Sequence, residues 1–178
     1  YEINREAQQA FVIESHKRAA AATFDDVIIP IDTENGTVTS DGCIREGTNQ
    51  EVLSKLKPAF LEEGTVTAGT SSPLTDGAAF VLVCSESFAK EHGLTALARI
   101  KSIAISGCAP EVMGIGPVEA SRKALERAGL TLEDVDIIEL NEAFAAQSLA
   151  VIEEMNLDQA KVNVDGGALA LGHPLGAS

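Results

Sequence analysis

The sequence predicts an α/β domain with a mainly parallel, mixed sheet, preceded by a segment that is richer in loops. After about residue 75, apolar runs of strand length alternate with helix-like segments, which is typical of a layered α/β fold. The run over residues 78–83 is continuously apolar and predicts a strand that is buried on both faces. We therefore place a boundary between residues 74 and 75.

The first segment, residues 1–74, carries local signals for two helices, a hairpin and a polar loop. Asn4 can cap a helix that runs to about residue 22. Asn35-Gly36 is a turn signal between two short β-prone runs. In chain order, the expected elements are a helix over 4–22, strand 27–31 with a return over 37–39, a helix over 49–57 that ends before Pro58, and a loop over 64–77.

The second segment, residues 75–178, carries helix caps between its apolar runs. Ser85 can begin a short helix, Pro117 suits the first position of another, and Gly129 suits that helix's C-terminal cap. A further helix over 142–155 has apolar residues at helical spacing. The expected strands are 78–83, 98–106, 135–140 and 162–164.

Composition excludes several classes of function. The 178 residues include 13 Lys and Arg against 27 Asp and Glu, for a net charge of −14, which disfavours a nucleic-acid binder. The 3 cysteines are widely spaced without a Cys-x-x-Cys motif, so we predict no zinc or dithiol site. Cys84 follows an apolar run and is predicted to be buried. No run is long enough to span a membrane.

Asn141 follows one predicted strand, where ligands gather in open α/β sheets. Two interpretations remain open for it. It can simply cap the following helix, or its amide can orient a water or an oxyanion at that helix start. Glu142 in the expected first turn would favour the helix dipole in either case.

His173 lies in a glycine-rich run that follows the predicted strand 162–164. Four glycines surround it, and glycine allows the backbone to approach a ligand or another loop closely. A single histidine is commonly structural, but in this setting a general base or an oxyanion donor is an equally good interpretation. The loop over 65–77 and the turn over 113–117 are weaker candidates for ligand contact, and neither matches a nucleotide-binding motif.

Four segments together resemble the thiolases, the acyl-CoA:acetyl-CoA acyltransferases. They are TVTAGTSSPLTDGAA, VMGIGP, NEAFAAQ and GGALALGHPLGAS, in the order and at the spacing of that family. The resemblance covers essentially the whole chain. It implies a layered αβα half, truncated before its last strands, for residues 75–178, and the second part of a loop domain that binds CoA for residues 1–74.

The resemblance implies thiolytic cleavage of 3-ketoacyl-CoA, or Claisen condensation of acetyl-CoA units. His173 would activate a nucleophilic cysteine and donate to the thioester oxygen, and Asn141 would hold the water that completes this oxyanion hole. No covalently bound cofactor or metal is implied, and CoA and acyl-CoA are substrates. The residues that match positions around CoA and the acyl group are Ser72, Ala68, Phe60, Arg45, Met113, Ala143 and Phe144.

The two reactive cysteines of thiolases match none of the cysteines here. One belongs to the N-terminal half of the family fold, and the other to a C-x-G-G-G motif near its C-terminus. The start at Tyr1 and the glycine-rich end also suggest a fragment of a longer protein. We therefore expect the isolated chain to be inactive. A non-catalytic fragment or a thiolase-like protein for CoA binding or interaction is the alternative.

Several properties follow from the resemblance alone or stay open. The full-length protein is expected to be a homo-oligomer, a dimer or a tetramer. A role in fatty acid and lipid metabolism is implied, but chain-length preference and direction are not. A chain that begins at Tyr1 neither shows nor excludes a targeting peptide, so the cytoplasm is the default localisation, with mitochondrion and peroxisome as the alternatives.

Overall fold

Helix α1 (Arg5–Ala21) organises the computed structural model, which describes residues 1–177. Asn4 begins it by accepting a hydrogen bond from the Ala7 N–H at 2.8 Å, which confirms the predicted cap. Val12 and Ala19 are only 1% and 2% exposed. Helix α1 is therefore a core helix that joins the first segment of the chain to the second.

The core consists of two clusters that share contacts with α1. One forms around helix α5 (Ala145–Met155) and the other joins α1 to helix α2 (Gln50–Ser54) and helix α6 (Ala168–Leu171). Fully burying a valine or leucine is worth about 2 kcal/mol, so these clusters hold the two predicted segments together. Their buried members are Val118, Leu140, Val151, Ile152, Met155 and Val162 in the first, and Val12, Leu53, Ala145 and Leu169 in the second.

The predicted hairpin is present, with its strands shifted towards the turn. Strand β1 (Ile31–Thr33) pairs antiparallel with strand β2 (Gly36–Val38). Gly36 has φ +116°, a conformation that glycine adopts readily and other residues do not. The strand predicted over 27–31 is largely unpaired, because pairing with β2 begins only at Ile31.

Two further helices begin at their predicted caps. Helix α3 (Glu86–Glu91) starts after Ser85, and helix α4 (Gly116–Ala128) has Pro117 in its first turn and ends at Gly129 with φ +66°. Helix α2 stops at Ser54, three residues before the predicted end. Within the described residues 1–177, 3₁₀-helices lie at Ala68–Thr70, Pro110–Ile115 and Leu132–Asp134.

The predicted mainly parallel sheet is largely absent from residues 1–177. One parallel bridge joins Ile138 to Val162, with a hydrogen bond of 2.9 Å on either side. The strands predicted over 78–83 and 98–106 are wrong for this structure, since neither is paired. Val81 is 87% exposed. Cys84 is also exposed, so the prediction that it is buried is wrong. The apolar sequences of both segments favour burial, but residues 78–83 are exposed, and residues 98–106 contact α4 through hydrogen bonds such as that from Ser102 to the Ala124 carbonyl.

None of the helices formed by residues 1–177 combines the length and the apolar character needed to cross a bilayer.

Candidate active site

Asn141 and His173 are brought together although 32 positions separate them. Asn141 Nδ2 lies 3.2 Å from His173 Nε2. Helix α5 begins only at Ala145, so the prediction that a helix starts at residue 142 is wrong, and Asn141 does not cap it. The reason is tertiary: Phe144 is extended and forms an antiparallel bridge with Ser71. The residues before α5, Asn141 among them, are thereby held as a loop. We call the side chains of Asn141 and His173 the Asn141–His173 pair.

The orientation of the Asn141 side-chain amide determines which ring nitrogen of His173 carries the proton. With Asn141 Nδ2 as donor, His173 Nε2 accepts and the ring proton resides on Nδ1. His173 Nδ1 is buried and has no hydrogen-bond partner among residues 1–177. An imidazole whose Nε2 accepts is in the form that can take a proton from a thiol.

The backbone of the loop that carries His173 is fixed from both sides. The His173 N–H donates to the Pro73 carbonyl at 3.4 Å. Gly172 has φ +97° and ψ 165°, a region that is essentially restricted to glycine. A Cβ on Gly172 would lie 2.5 Å from Thr75 Cγ2. The direction in which His173 leaves α6 therefore depends on glycine at position 172.

We expect Gly172→Ala to destabilise the protein by about 2 kcal/mol or more, because it adds backbone strain and a clash. Gly176→Ala in the same loop is the matched control, since Gly176 has open space around it and no positive φ. Urea unfolding of both variants measures the difference. Equal midpoints for the two would contradict the assignment of strain to Gly172.

Four of the residues predicted to contact CoA or the acyl group lie together next to the pair. The Ser72 N–H donates to the Ala143 carbonyl at 3.0 Å. The ring of Phe60 meets that of Phe144 edge to face, with centroids 6.1 Å apart and planes at 69°. Phe60 is 71% exposed, so this aromatic contact forms part of a surface that is accessible to a ligand.

The other three predicted ligand residues, Ala68, Arg45 and Met113, lie in separate segments of the chain. Ala68 begins a 3₁₀-helix and is exposed. Met113 is 72% exposed, and the adjacent Gly114 packs so closely on α5 that a Cβ there would lie 2.7 Å from Gln147 Cγ. Arg45 is exposed, and its backbone N–H donates to His16 at 3.1 Å. Within residues 1–177, no hydrogen bond or ring contact links these three to the Asn141–His173 pair.

His16 connects the position of Arg45 to the core. Its side chain is 7% exposed, and its Nδ1 accepts the Arg45 N–H, which places the ring proton on Nε2. Burial, and secondly the positive charge of Arg45, hold the pKa of His16 below its ordinary value of 6.5. The folded protein therefore keeps His16 neutral where the unfolded chain would protonate it.

We expect acid to destabilise the fold through His16. Below about pH 6.5 the unfolded chain binds a proton that the folded state resists, so the free energy of unfolding falls as pH decreases until the folded-state pKa is passed. Urea unfolding between pH 7 and 5 measures how steeply the free energy of unfolding falls with pH, and this slope should be smaller in His16→Gln than in the parent. His92→Gln, at an exposed site, should leave the slope as it is. An unchanged slope in His16→Gln would contradict this cause.

The sequence interpretation missed a buried carboxylate beside Asn141. Glu142 is 1% exposed and contacts Ser15, Asn163 and Leu169 by hydrogen bonds. The pKa of the neighbouring Glu139 is raised by burial and by the negative charges of nearby carboxylates, Glu142 among them. One signal was available in the sequence, a glutamate directly after the candidate Asn141. Its partners are distant in sequence and gave no signal.

A cavity of about 300 Å³ lies between α1 and α5 and is separate from the Asn141–His173 pair. Its polar lining includes Ser15, Arg18 and Glu142. Arg18 pairs with Glu14 and bonds the Val162 carbonyl, so its charge is already satisfied. The Arg18 charge is therefore not available to select a ligand in this cavity. No group of three or more His, Cys, Asp and Glu side chains within the described part of the chain could hold a metal ion.

Comparison with known proteins assigns the family. Residues 1–87 match the family model described as "Thiolase, N-terminal domain", and residues 94–178 match "Thiolase, C-terminal domain". The chain belongs to the thiolase family. The α/β class predicted from the sequence is confirmed by solved thiolase structures, although the described residues form few of the predicted strands.

Three thiolases illustrate the similarity. The 3-ketoacyl-CoA thiolase of Aliivibrio fischeri is 53% identical over 190 residues, covering 99% of this chain and 49% of its own length. The crystal structure of the Bacillus anthracis acetyl-CoA acetyltransferase matches with a TM-score of 0.94 at 47% identity, over 99% of this chain and 47% of that one. Human mitochondrial 3-ketoacyl-CoA thiolase in complex with CoA matches with a TM-score of 0.92 at 43% identity, over 99% and 46%. The chain thus spans about half the length of these thiolases.

Proposed function

We propose that this chain supplies the Asn–His part of a thiolase-type acyltransferase site. The observation that carries the proposal is the 3.2 Å contact between Asn141 Nδ2 and His173 Nε2, formed between the two loops whose sequences resemble the family most specifically. A fixed amide and an imidazole at one point suit a reaction in which negative charge develops on a carbonyl oxygen. Thiolytic cleavage and Claisen condensation of CoA thioesters are such reactions.

In cleavage, His173 Nε2 takes the proton of a cysteine thiol in the half of the fold outside this chain. The thiolate sulfur bonds to the 3-keto carbon of the 3-ketoacyl-CoA. The C2–C3 bond then breaks, and acetyl-CoA leaves as an enolate that takes a proton from the second cysteine. The acyl group then passes from the first cysteine to the sulfur of a free CoA. The thiol proton of CoA goes to the second cysteine, and His173 returns its proton to the sulfur of the first cysteine, which leaves. Condensation is the same sequence reversed.

The role of Asn141 is to stabilise charge through a bound water. The imidazole N–H that forms when His173 takes the proton donates to the oxyanion, and a water held by the Asn141 amide donates to it as well. Both donors lie on backbone that is held by tertiary contacts, so little reorganisation is needed as charge develops. The contact between the two side chains supports this arrangement.

The surface around Phe60, Ser72, Ala143 and Phe144 is proposed to receive the pantetheine arm and the acyl end of CoA. Its combination of an exposed aromatic edge and adjacent backbone suits a thin, mostly apolar chain with amide groups. Ala68 and Met113 would extend this surface. Arg45, which is exposed, would pair with a phosphate of the adenosine end.

The complete polypeptide that contains this chain tests the proposal. Incubated with a 3-ketoacyl-CoA and free CoA, it should release acetyl-CoA and the shortened acyl-CoA in equal amounts, and only when free CoA is present. CoA-dependent cleavage without equal formation of both products, or no cleavage at all, would contradict a thiolase-type function.

One observation favours the non-catalytic alternative for the chain by itself. Cys84 and Cys108 are exposed, and the Cys108 thiol donates to the Val112 and Met113 carbonyls and not to the Asn141–His173 pair. The 178 residues alone should therefore show no thiolysis, although retained CoA binding would be consistent with the surface described. Measurable turnover by the isolated chain would refute this alternative.

The domain boundary and the assembly state are also proposals. Residues 1–74 would belong to the loop domain and 75–178 to the C-terminal half, although α1 packs directly on α5 and α6. The full-length protein would be a homo-oligomer, for which family resemblance is the support. Light scattering of the purified full-length protein measures its mass directly.

A further inference from the structure

We propose that Glu142 is a positioning residue that fixes Asn141 relative to His173. This inference rests on the proposed function, because it concerns the geometry of the same site. Glu142 directly follows Asn141 in the chain and is 1% exposed. A carboxyl group buried to this degree needs partners on both oxygens to offset its desolvation.

Both oxygens of Glu142 accept hydrogen bonds from three separate parts of the fold. Oε2 accepts from the Ser15 hydroxyl of α1 at 2.7 Å and from the Leu169 N–H of α6 at 3.1 Å. Oε1 accepts from Asn163 Nδ2 at 2.8 Å. The Glu142 side chain therefore connects α1, α6 and the segment that contains Asn163 to the loop that carries Asn141.

Each donor is fixed as a donor by its other contacts. Asn163 Oδ1 accepts the Leu140 N–H at 2.7 Å, and its Nδ2 also donates to the Leu140 carbonyl at 2.8 Å, so its amide cannot be reversed. The Ser15 hydroxyl accepts the Gly167 N–H at 3.1 Å, so its own hydrogen is directed to Glu142. Both oxygens of the Glu142 side chain therefore act as acceptors, and the NH₂ group of an amide at this position could not do so.

These bonds act on the backbone on either side of the site. Asn163 holds Leu140, which directly precedes Asn141, and adopts a left-handed φ of +47° to do so. On the other side, α6 leads into Gly172 and His173, and a Cβ on Gly167 at its start would clash with the Glu142 carboxyl group. Glu142 thus contacts Asn163, which holds the residue before Asn141, and it also contacts α6, which leads to His173.

Glu142→Gln replaces one acceptor oxygen by an NH₂ group without changing the size of the side chain, so the match between the side chain and its donors is lost. In either orientation of the new amide, its NH₂ group faces at least one N–H or O–H that cannot turn away. The loop must then shift to relieve the mismatch, and Asn141 moves with it. A displacement of about 1 Å in a catalytic group can cost roughly 100-fold in rate, so we expect kcat to fall by about 100-fold while KM stays essentially unchanged.

The experiment is a double-mutant comparison in the complete polypeptide, with Glu142→Gln made alone and on an Asn141→Ala background. If Glu142 acts through Asn141, Glu142→Gln costs much less on that background than alone. An equal cost in both would overturn the proposal. Glu153→Gln, an exposed carboxylate on α5, is the matched control and should leave kcat as it is. If Glu142→Gln does not fold, Ser15→Ala replaces it, with a smaller loss of kcat and the same dependence on Asn141 expected.

A second measurement needs no activity and separates this inference from the proposed function. With histidine labelled by ¹⁵N, the ring nitrogens of His173 report its protonation and hydrogen bonding. Glu142→Gln should shift them in the same direction as Asn141→Ala does, while those of His92 stay fixed. If the His173 signals are unchanged in Glu142→Gln, the inference fails even where thiolysis is intact. If they shift in a protein without thiolysis, the inference holds and the proposed function fails.

Discussion

His173→Ala in the complete polypeptide should lower the kcat of thiolysis by about 10⁴-fold. In the proposed mechanism, two contributions are lost together: the base that takes the thiol proton and a donor to the developing oxyanion. The loss should appear in kcat and in kcat/KM alike, because both contributions act in the transition state and not in ground-state binding. Steady-state kinetics with a 3-ketoacyl-CoA measures it.

His92→Ala is the matched control for this result. His92 is exposed at the end of α3, where its ring stacks on Phe88 with centroids 4.0 Å apart, and it has no part in the proposed site. Its removal should leave kcat and KM as they are. If His173→Ala retained normal thiolysis, the role given to His173 would be refuted, whatever the effect at position 92.

Asn141→Ala should lower kcat by about 10²- to 10³-fold, the usual cost of removing one oxyanion donor. Asn141→Asp should be as damaging as alanine, since a carboxylate of the same shape cannot donate and adds negative charge where negative charge develops. The comparison separates donation from packing, because aspartate preserves the volume of the side chain. Single-turnover kinetics would show that the chemical step is slowed and not product release.

An asparagine in an exposed turn gives the control for this series. Asn35 lies between β1 and β2, where the turn is open to solvent. Asn35→Ala should therefore leave the rate of turnover unaffected. A normal rate in Asn141→Asp would mean that donation by this amide is not required. The oxyanion role of Asn141 would then have to be abandoned.

Local chemistry predicted the helix caps and the hairpin. Asn4, Ser85 and Gly129 each act at the helix end where the sequence predicts it, because a cap is decided by a few neighbouring residues. The Asn35-Gly36 turn likewise needs only its own residues. These features do not depend on distant parts of the chain.

Pairing between distant segments is what the sequence could not predict. The continuous apolar run over 78–83 favours a buried strand, but a strand also needs a neighbour, and residues 1–177 provide none for it. Asn141 has the pattern of an N-cap, yet the bridge between Ser71 and Phe144 delays the start of α5. Here a tertiary contact outweighs a local preference.

The Asn141–His173 pair was predicted through family resemblance, and the support beneath it was not. Three of the bonds to Glu142 come from residues 127, 21 and 27 positions away in the sequence. No spacing rule for helices or strands relates such positions. The supporting carboxylate therefore becomes visible only in the folded chain.

A double-mutant cycle on Asn141 and His173 tests most directly the claim that they form one catalytic unit. The complete polypeptide is assayed for thiolysis as the parent, as Asn141→Ala, as His173→Ala and as the double variant. Because both side chains serve the same oxyanion in the proposed mechanism, the double variant should be little slower than His173→Ala alone. Losses that multiply would show that the two residues act independently and would contradict the account.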